Sequence, residues 1–451
     1  MKIELPLKVN QIIKKLQSAG YEAYAVGGCI RDSILKRSPE DWDITTSATP
    51  YQVKELFERN VDTGIQHGTV TVLLGKDGFE VTTYRVDGEY EDNRHPKQVE
   101  FTNQLLEDLK RRDFTINAMA YNENDGLVDA FNGLSDLQEK KIRCVGSARE
   151  RFDEDALRIL RAIRFSAQLD FSIEEDTLLA VKEKAQNLKN ISAERIREEL
   201  NKLLLSNHSK KLLVVHATRI SDVILPELNE MLSCEQENHH HIHTVGMHCL
   251  EALSFFSNKY PYSSVKYSKK QQLIIRWTLL LHDVAKPSTK VIGKDKEGHF
   301  YGHAPKGAAM AKQILQRLKF DNETIDYVYK LIYYHDYRYN LTMHDMRKAM
   351  NVIGADLMEM LFEVQLADIM AQNPEYRPAK IENLSEAQKL YRQVVENGEC
   401  VNLKMLAVNG QDLIKAGYQP GKAIGEKLNL LLEKVIENPE LNSKEVLLKI
   451  L

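Results

Sequence analysis

AVGGCIRDSILKRSPEDWDITTSA, residues 25–48, decides how the rest of the chain is read. A short apolar run ends at Val26, Gly27-Gly28 make a tight turn, and a helix is expected from about Cys29. Glycine lets the backbone approach an anion closely, and a helix N-terminus supplies unpaired N–H donors and partial positive charge. Gly28 is the residue placed for that approach, and Arg31, in the first helical turn, is placed to add a charge-assisted contact to a phosphate. Asp41-Trp42-Asp43-Ile44 follows. On a strand, positions 41 and 43 point to one face, so Asp41 and Asp43 can share a hard cation such as Mg²⁺. Two Mg²⁺ held between carboxylates and the phosphates of a nucleotide form the arrangement for in-line nucleotidyl transfer. Neither a Gly-Gly pair nor an Asp-x-Asp is specific alone; both within this spacing are.

Outward from this stretch, YAVGG (24–28), GTVTVLL (68–74), FEVTTY (79–84) and FTINAMAY (114–121) read as strands, with helices at about 8–18 and 50–59. Beyond about residue 140 the pattern turns helical almost to the end. The fold class expected is α+β: a head with a small mixed β-sheet, then an all-α neck, body and tail. The segments are 1–145, 146–232, 233–375 and 376–451, with LSCEQENHHHIHTV (232–245) as a linker and Pro374 and Pro378 marking the last break. His239-His240-His241 belongs to that linker.

Composition narrows the possibilities. With 451 residues, one core is too few, since single cores stop growing near roughly 250–300 residues. Apolar residues at 43% and charged residues at 28% argue against disorder. No apolar run reaches the roughly 18 residues of a membrane span, and the amphipathic N-terminus lacks the apolar core of a secretory signal. Five scattered cysteines with no CxxC pair exclude a disulfide framework and fit a reducing cytoplasm. A net charge of −4 means that any nucleic-acid contact must use local basic clusters.

Such a cluster stands in the neck. Asp155, Arg158, Arg161 and Arg164 recur every third residue, so on one helix they take about half the circumference, with Ala156, Leu157, Ile159, Leu160 and Ile163 on the other half. Glu154 and Arg158 can pair, but no acidic partners follow along the stripe, so an anion is its expected neighbour. Cytosine and adenine each offer an amino donor beside a ring-nitrogen acceptor. A carboxylate and a guanidinium, Asp155 and Arg158, match both; uracil and guanine present the reverse order, and that mismatch gives roughly 10²–10⁵-fold rejection. In Arg111-Arg112-Asp113, before the expected strand Phe114–Asn117, Arg112 can meet a phosphate while Asp113 and Asn117 hold the ribose. Asp129 and Asp136 bracket a capped turn, and Glu80 is expected to play a supporting role near the cation. RVDGEYEDNRHPKQVEF (85–101), with Arg85, Asp92 and Arg94, is expected to be a mobile loop.

The body carries a separate pattern: His248, then His282-Asp283 after an apolar helix, His303, His335-Asp336 and Asp368. It resembles the HD-domain metal hydrolases. His248, His282, Asp283 and Asp368 form the expected metal site, and His303 and His335 could serve a second ion. Imidazole and carboxylate together suit a divalent transition metal as well as Mg²⁺. The tail, 410–450, reads as two helices around Gly417 and Pro420-Gly421.

Taken in order, GGCIRD, DWDITT, RRDFTINAMA (111–120), DAFNGLSDL (129–137) and EDALRILRAIRF (154–165) resemble the class II tRNA nucleotidyltransferases, the CCA-adding enzymes with their bacterial poly(A) polymerase relatives. That resemblance covers about residues 20–205. It implies a polymerase β-like head that adds CMP, CMP and AMP to the tRNA 3′ end without a nucleic-acid template. Its partners would be tRNA, ATP and CTP, with no membrane and no protein partner. In that family the Arg-Arg-Asp motif discriminates ribose from deoxyribose and joins head to neck. Asp155 and Arg158 match the nucleotide-selecting pair, and a full-length loop at 85–101 accompanies complete CCA addition. A poly(A) polymerase, or an HD-domain phosphohydrolase acting on RNA-end phosphates with a nucleotide-binding head, stays open as an alternative.

Overall fold

Thr69–Leu74 alternates as a half-buried strand should, Val70 and Val72 having no exposure at all. It is one of seven strands in a mixed sheet. A computed structural model describes residues 1–88, 99–258 and 266–450, in two compact units, Met1–Pro226 and Glu227–Leu451.

The first unit runs α1 (Leu7–Ser18), β1 (Ala23–Val26), α2 (Gly28–Ile34), β2 (Ile44–Thr46), α3 (Pro50–Leu56), β3 (Asn60–Gly64), β4 (Thr69–Leu74), β5 (Asp77–Thr83), β6 (Arg85–Asp87) and β7 (Val99–Phe101). It continues with α4 (Leu105–Lys110), β8 (Ala120–Asn122), β9 (Gly126–Val128), α5 (Gly133–Gln138), α6 (Ala148–Glu154), α7 (Leu157–Leu169), α8 (Glu175–Lys184) and α9 (Ala193–Leu204). Sheet order is β3–β4–β5–β2–β1–β8–β9; β2 and β5 are parallel and every other neighbour is antiparallel. Helix α1 buries Val9, Ile12, Ile13 and Leu16, the face its periodicity prescribes. α3 starts on a capping box, Thr49 with Gln52.

Three local expectations change. Phe114–Asn117 is no strand: Thr115–Asn117 is a 3₁₀ turn, and the strand begins at Ala120. Asp113 Oδ1 accepts from the Phe114 N–H at 2.8 Å and from Asn117 Nδ2 at 3.1 Å, and this local bonding overrides the alternation. The ends of the expected loop at 85–101 are strands, β6 and β7, paired antiparallel; Asp92 and Arg94 lie outside the described residues. The neck is not one helix through Asp155. That residue has φ −135° and ψ 103° between α6 and α7, and its Oδ1 accepts from the Leu157 N–H at 3.0 Å, so it opens α7 instead of extending α6.

Gly133 stands where α5 crosses this 3₁₀ turn. A Cβ there would lie 2.4 Å from the Thr115 carbonyl oxygen, so only glycine allows the approach. Asp129 accepts from the N–H groups of Gly133 and Leu134 at 2.7 and 2.8 Å, the capped turn expected.

The second unit is helical, with Val245–Asn258, Lys269–Leu281, His303–Arg317, Asn322–Tyr334, Met343–Ile353, Met358–Ala371, Arg377–Glu396 and Lys422–Glu437 as its longest helices. Trp277 is fully buried and meets Phe320 edge-on. The tail holds three helices, not two: Gly410–Lys415, Lys422–Glu437 and Lys444–Ile450, packed around Leu413, Leu431, Val435 and Leu447. Asn438-Pro439 makes the extra break, because proline cannot donate a helical hydrogen bond. No helix among the described residues is long and apolar enough to cross a membrane.

Candidate functional site

In the first unit, β1 delivers the chain to Gly27, whose φ of 85° turns it into α2. A Cβ on Gly27 would sit 3.1 Å from Arg112 Nη1, so the turn and that guanidinium share one place. Arg112 is held through Nη2 to the buried Asp108 at 3.3 Å, while its buried Nε–H has no acceptor among the described residues. Asp41 and Asp43 precede β2 and are not within a strand, yet the Asp41 charge acts on the Asp43 carboxyl. The Asp43 carbonyl accepts from the Val26 N–H at 3.0 Å, tying it to the entry of the turn.

The parallel register pairs Ile44 with Val81, which places Asp43 across from Glu80. Their charges register this proximity. Asp43 is exposed yet crowded by surrounding protein. This crowding pushes its carboxyl up, the Arg112 cation pulls it down, and Asp41 pushes it up again. Glu80 is raised by burial, then by Asp43 and Asp41. Asp43 and Glu80, each raised in part by neighbouring carboxylate charge and standing near Asp41, fit a divalent cation, which would relieve the repulsion.

Arg31 does not stand free before this turn. It is buried, with Nη1 donating to Asn117 Oδ1 at 2.7 Å and Nε and Nη2 donating to Asp32 at 3.0 and 2.8 Å. Asn117 in turn bonds Asp113, and Asp113 Oδ2 accepts from Arg161 Nε at 2.7 Å. Burial alone would raise the Asp113 carboxyl; Arg161, Asn117 and Arg158 bring it down to about 2. Asp113 and Asn117 are thus links between head and neck.

The neck stripe also differs from expectation, since every guanidinium in it meets a carboxylate. Arg158 Nη1 pairs with Glu154 at 2.6 Å, Arg161 with Asp113 at 2.6 Å and Arg164 with Glu199 of α9 at 2.6 Å. Asp155 itself is held by Arg195 at 2.9 Å. Asp113 lies 48 residues from Arg161 in the chain, so a reading of local spacing cannot find it. Sequence reasoning missed Arg195 and Glu199, and also Phe165, whose ring lies 5.0, 5.4 and 4.0 Å from the guanidinium carbons of Arg31, Arg161 and Arg164.

In the second unit the predicted ligands converge. His248 Nε2 lies 2.7 Å from Asp368 Oδ1, 3.3 Å from His282 Nε2 and 3.8 Å from Asp283 Oδ2. On the other side of the same carboxylate, Asp283 Oδ1 lies 3.6 Å from His303 Nε2 and 3.7 Å from His335 Nε2, which are 3.3 Å apart. Each of the four rings turns its Nδ1 to a main-chain carbonyl, of Ala371, Leu279, Phe300 and Ile332 at 3.4, 2.9, 2.8 and 2.6 Å. That assigns the proton to Nδ1 and leaves four Nε2 lone pairs facing two carboxylates.

Two nitrogens each about 2.1 Å from a first-row ion stand roughly 3.0–3.4 Å apart at octahedral to tetrahedral angles, as both imidazole pairs do. Asp283 is buried, with Lys286 Nζ 2.7 Å from Oδ2, while Oδ1 faces His303 and His335. A cavity of about 930 Å³ opens over this group, lined among others by His240, His241, Lys286, Tyr301 and Lys380. The histidine run is therefore more than a linker: His241 stacks edge-on against His248 with ring centres 4.8 Å apart. Lys286 follows Asp283 by three residues in HDVAK, which puts it on the same side of that turn.

Residues 23–143 match the family model for the poly A polymerase head domain, 170–232 that for the probable RNA and SrmB-binding site of polymerase A, and 304–451 that for tRNA nucleotidyltransferase domain 2. A CCA-adding enzyme of Lactobacillus helveticus is 34% identical over 449 residues, 99% of this chain and 96% of its own length. One of Lactobacillus delbrueckii subsp. bulgaricus is 53% identical over 200 residues, 44% of this chain and half of that relative. The crystal structure of the Bacillus stearothermophilus CCA-adding enzyme in complex with CTP superposes with a TM-score of 0.73 at 27% identity, over 98% of this chain and 96% of that one.

Proposed function

Because the chain belongs to the CCA-adding family of tRNA nucleotidyltransferases, we propose that it adds CMP, CMP and AMP to the tRNA 3′ end from CTP and ATP, with Asp41 and Asp43 as the catalytic carboxylates. The observation that carries the assignment is the group formed by Asp41, Asp43 and Glu80 beside the Gly27-Gly28 turn and Arg112. These carboxylates would hold Mg²⁺, which when bound supplies Lewis-acid stabilisation of the attacking and leaving oxygens. Gly28 leaves room for the triphosphate, and the Arg112 guanidinium beside the turn would supply positive charge for it. Asp155 accepts from the amino group of C or A while Arg158 donates to the ring nitrogen. Arg31, Asp113, Asn117, Arg161 and Arg164 hold these parts in place through the connected ion pairs around Phe165. A tRNA substrate sets the reaction in the cytoplasm.

The test is to incubate tRNA lacking its CCA end with each nucleotide separately. CTP incorporation that stops at two residues is the expected result; long A tails without C would instead support a poly(A) polymerase. Asp41→Ala should abolish addition.

A second activity is favoured by the four Nδ1–H···O=C bonds in the C-terminal unit. His248, His282, Asp283 and Asp368 would hold one divalent transition metal, and Asp283, His303 and His335 a second, with Asp283 shared. Bound there, the ions would supply an activated water for phosphoester hydrolysis. Lys286, buried beside Asp283, orients that carboxylate, and the cavity above admits substrate. Metal-dependent hydrolysis of a generic phosphodiester, retained in Asp41→Ala and lost in Asp283→Ala, is the outcome expected.

A further inference from the structure

The carboxylate assigned to base reading has a fixed orientation, and its source is a residue outside the motifs quoted from the sequence. Three N–H bonds reach Asp155. Leu157 donates its main-chain N–H to Oδ1 at 3.0 Å, and Arg195 donates through Nη1 to Oδ1 at 3.4 Å and through Nη2 to Oδ2 at 2.9 Å. A carboxylate offers about four lone-pair positions, so both on Oδ1 and one on Oδ2 are used. The position that remains, on Oδ2, has its direction set by the guanidinium fork.

Arg195 is an odd residue for its place. It is third in α9, where the partial positive charge of the helix N-terminus disfavours a cation and where acidic residues are the usual choice. Local preference therefore does not explain it, whereas Asp155, 40 residues earlier, does. Glu199, four residues on and on the same face of α9, meets Arg164 at 2.6 Å. One face of α9 thus sets opposite charges against the neck, an arginine for its carboxylate and a glutamate for its arginine.

We propose that Arg195 is a specificity-determining positioning residue, which fixes the Asp155 carboxylate so that a single acceptor position faces the amino group of incoming C or A. This rests on the base-reading role given to Asp155 and Arg158 above. Without the fork the carboxylate can turn about its Cβ–Cγ bond and accept from the ring N–H of uracil or guanine. Selection against those bases then weakens, although the carboxylate is still present.

The experiment measures kcat/KM for CTP, ATP, UTP and GTP on tRNA lacking CCA, in wild type, Arg195→Ala, Arg195→Lys and Asp155→Ala. Arg195→Ala should lower CTP and ATP use while UTP use holds or rises, so that the CTP-to-UTP ratio falls roughly tenfold or more. Arg195→Lys, which keeps the charge but not the two-pronged geometry, should fall between. A parallel drop for all four nucleotides, as a merely structural role would give, overturns the proposal, and so does an unchanged enzyme. Asp155→Ala separates the two levels. If it leaves the ratio at the wild-type value, the base-reading role itself fails; if it lowers the ratio while Arg195→Ala does not, only the role of Arg195 falls.

Discussion

Asp113→Asn is the most direct probe of how the head is tied to the neck. The carboxyl of Asp113 stands at about 2 against an ordinary 3.8, so folding favours its ionised form by about 2 kcal/mol. The folded value is depressed, so this contribution is complete above the unfolded pKa and is lost as pH falls from about 4 towards 2. Asparagine keeps the shape and can still accept from Phe114 and Asn117, but it turns an amide N–H₂ towards Arg161 and leaves that guanidinium uncompensated.

The expected cost is about 2 kcal/mol at neutral pH, shrinking to roughly half near pH 3 as the carboxyl of the unfolded wild-type chain takes up a proton. The chain has two tryptophans, Trp42 in the first unit and Trp277 in the second. A Trp277→Phe background therefore makes fluorescence in a urea titration report on the first unit alone. A loss that stays constant between neutral and acid pH would refute the linkage argument. A loss below about 0.5 kcal/mol at neutral pH would show that Arg161 finds another partner at no cost.

Other outcomes follow from the same geometry. Gly133→Ala forces a Cβ to within 2.4 Å of a main-chain oxygen, so it should lower stability of the first unit by about 2–4 kcal/mol by urea titration, with nucleotide addition falling alongside. Asp283→Asn should reduce tightly bound divalent metal, measured by elemental analysis of the purified protein, and leave nucleotide addition within about twofold. Retention of full metal content would contradict a shared carboxylate. Chelation should raise hydrogen exchange at His282 and His335 in the second unit while leaving the strands of the head unchanged.

The alternation of β4 and β5, the apolar face of α1 and the Gly-Gly turn are local properties. Side-chain period and glycine freedom act over a few residues, so a linear reading finds them. The grouping of His248, His282, Asp283, His303, His335 and Asp368 was legible for another reason: the residue types that can hold a metal are few, and His282-Asp283 stand adjacent in the chain. The partners of the neck residues were not legible. Arg161 finds Asp113, Arg164 finds Glu199, and Asp155 finds Arg195 across separations of tens of residues, where no local periodicity operates. Tertiary structure also overruled local preference at Thr115–Asn117, where a buried carboxylate recruited two N–H donors and bent an alternating segment into a turn. A buried charge must be compensated from whatever direction the fold supplies, and only the folded chain determines that direction.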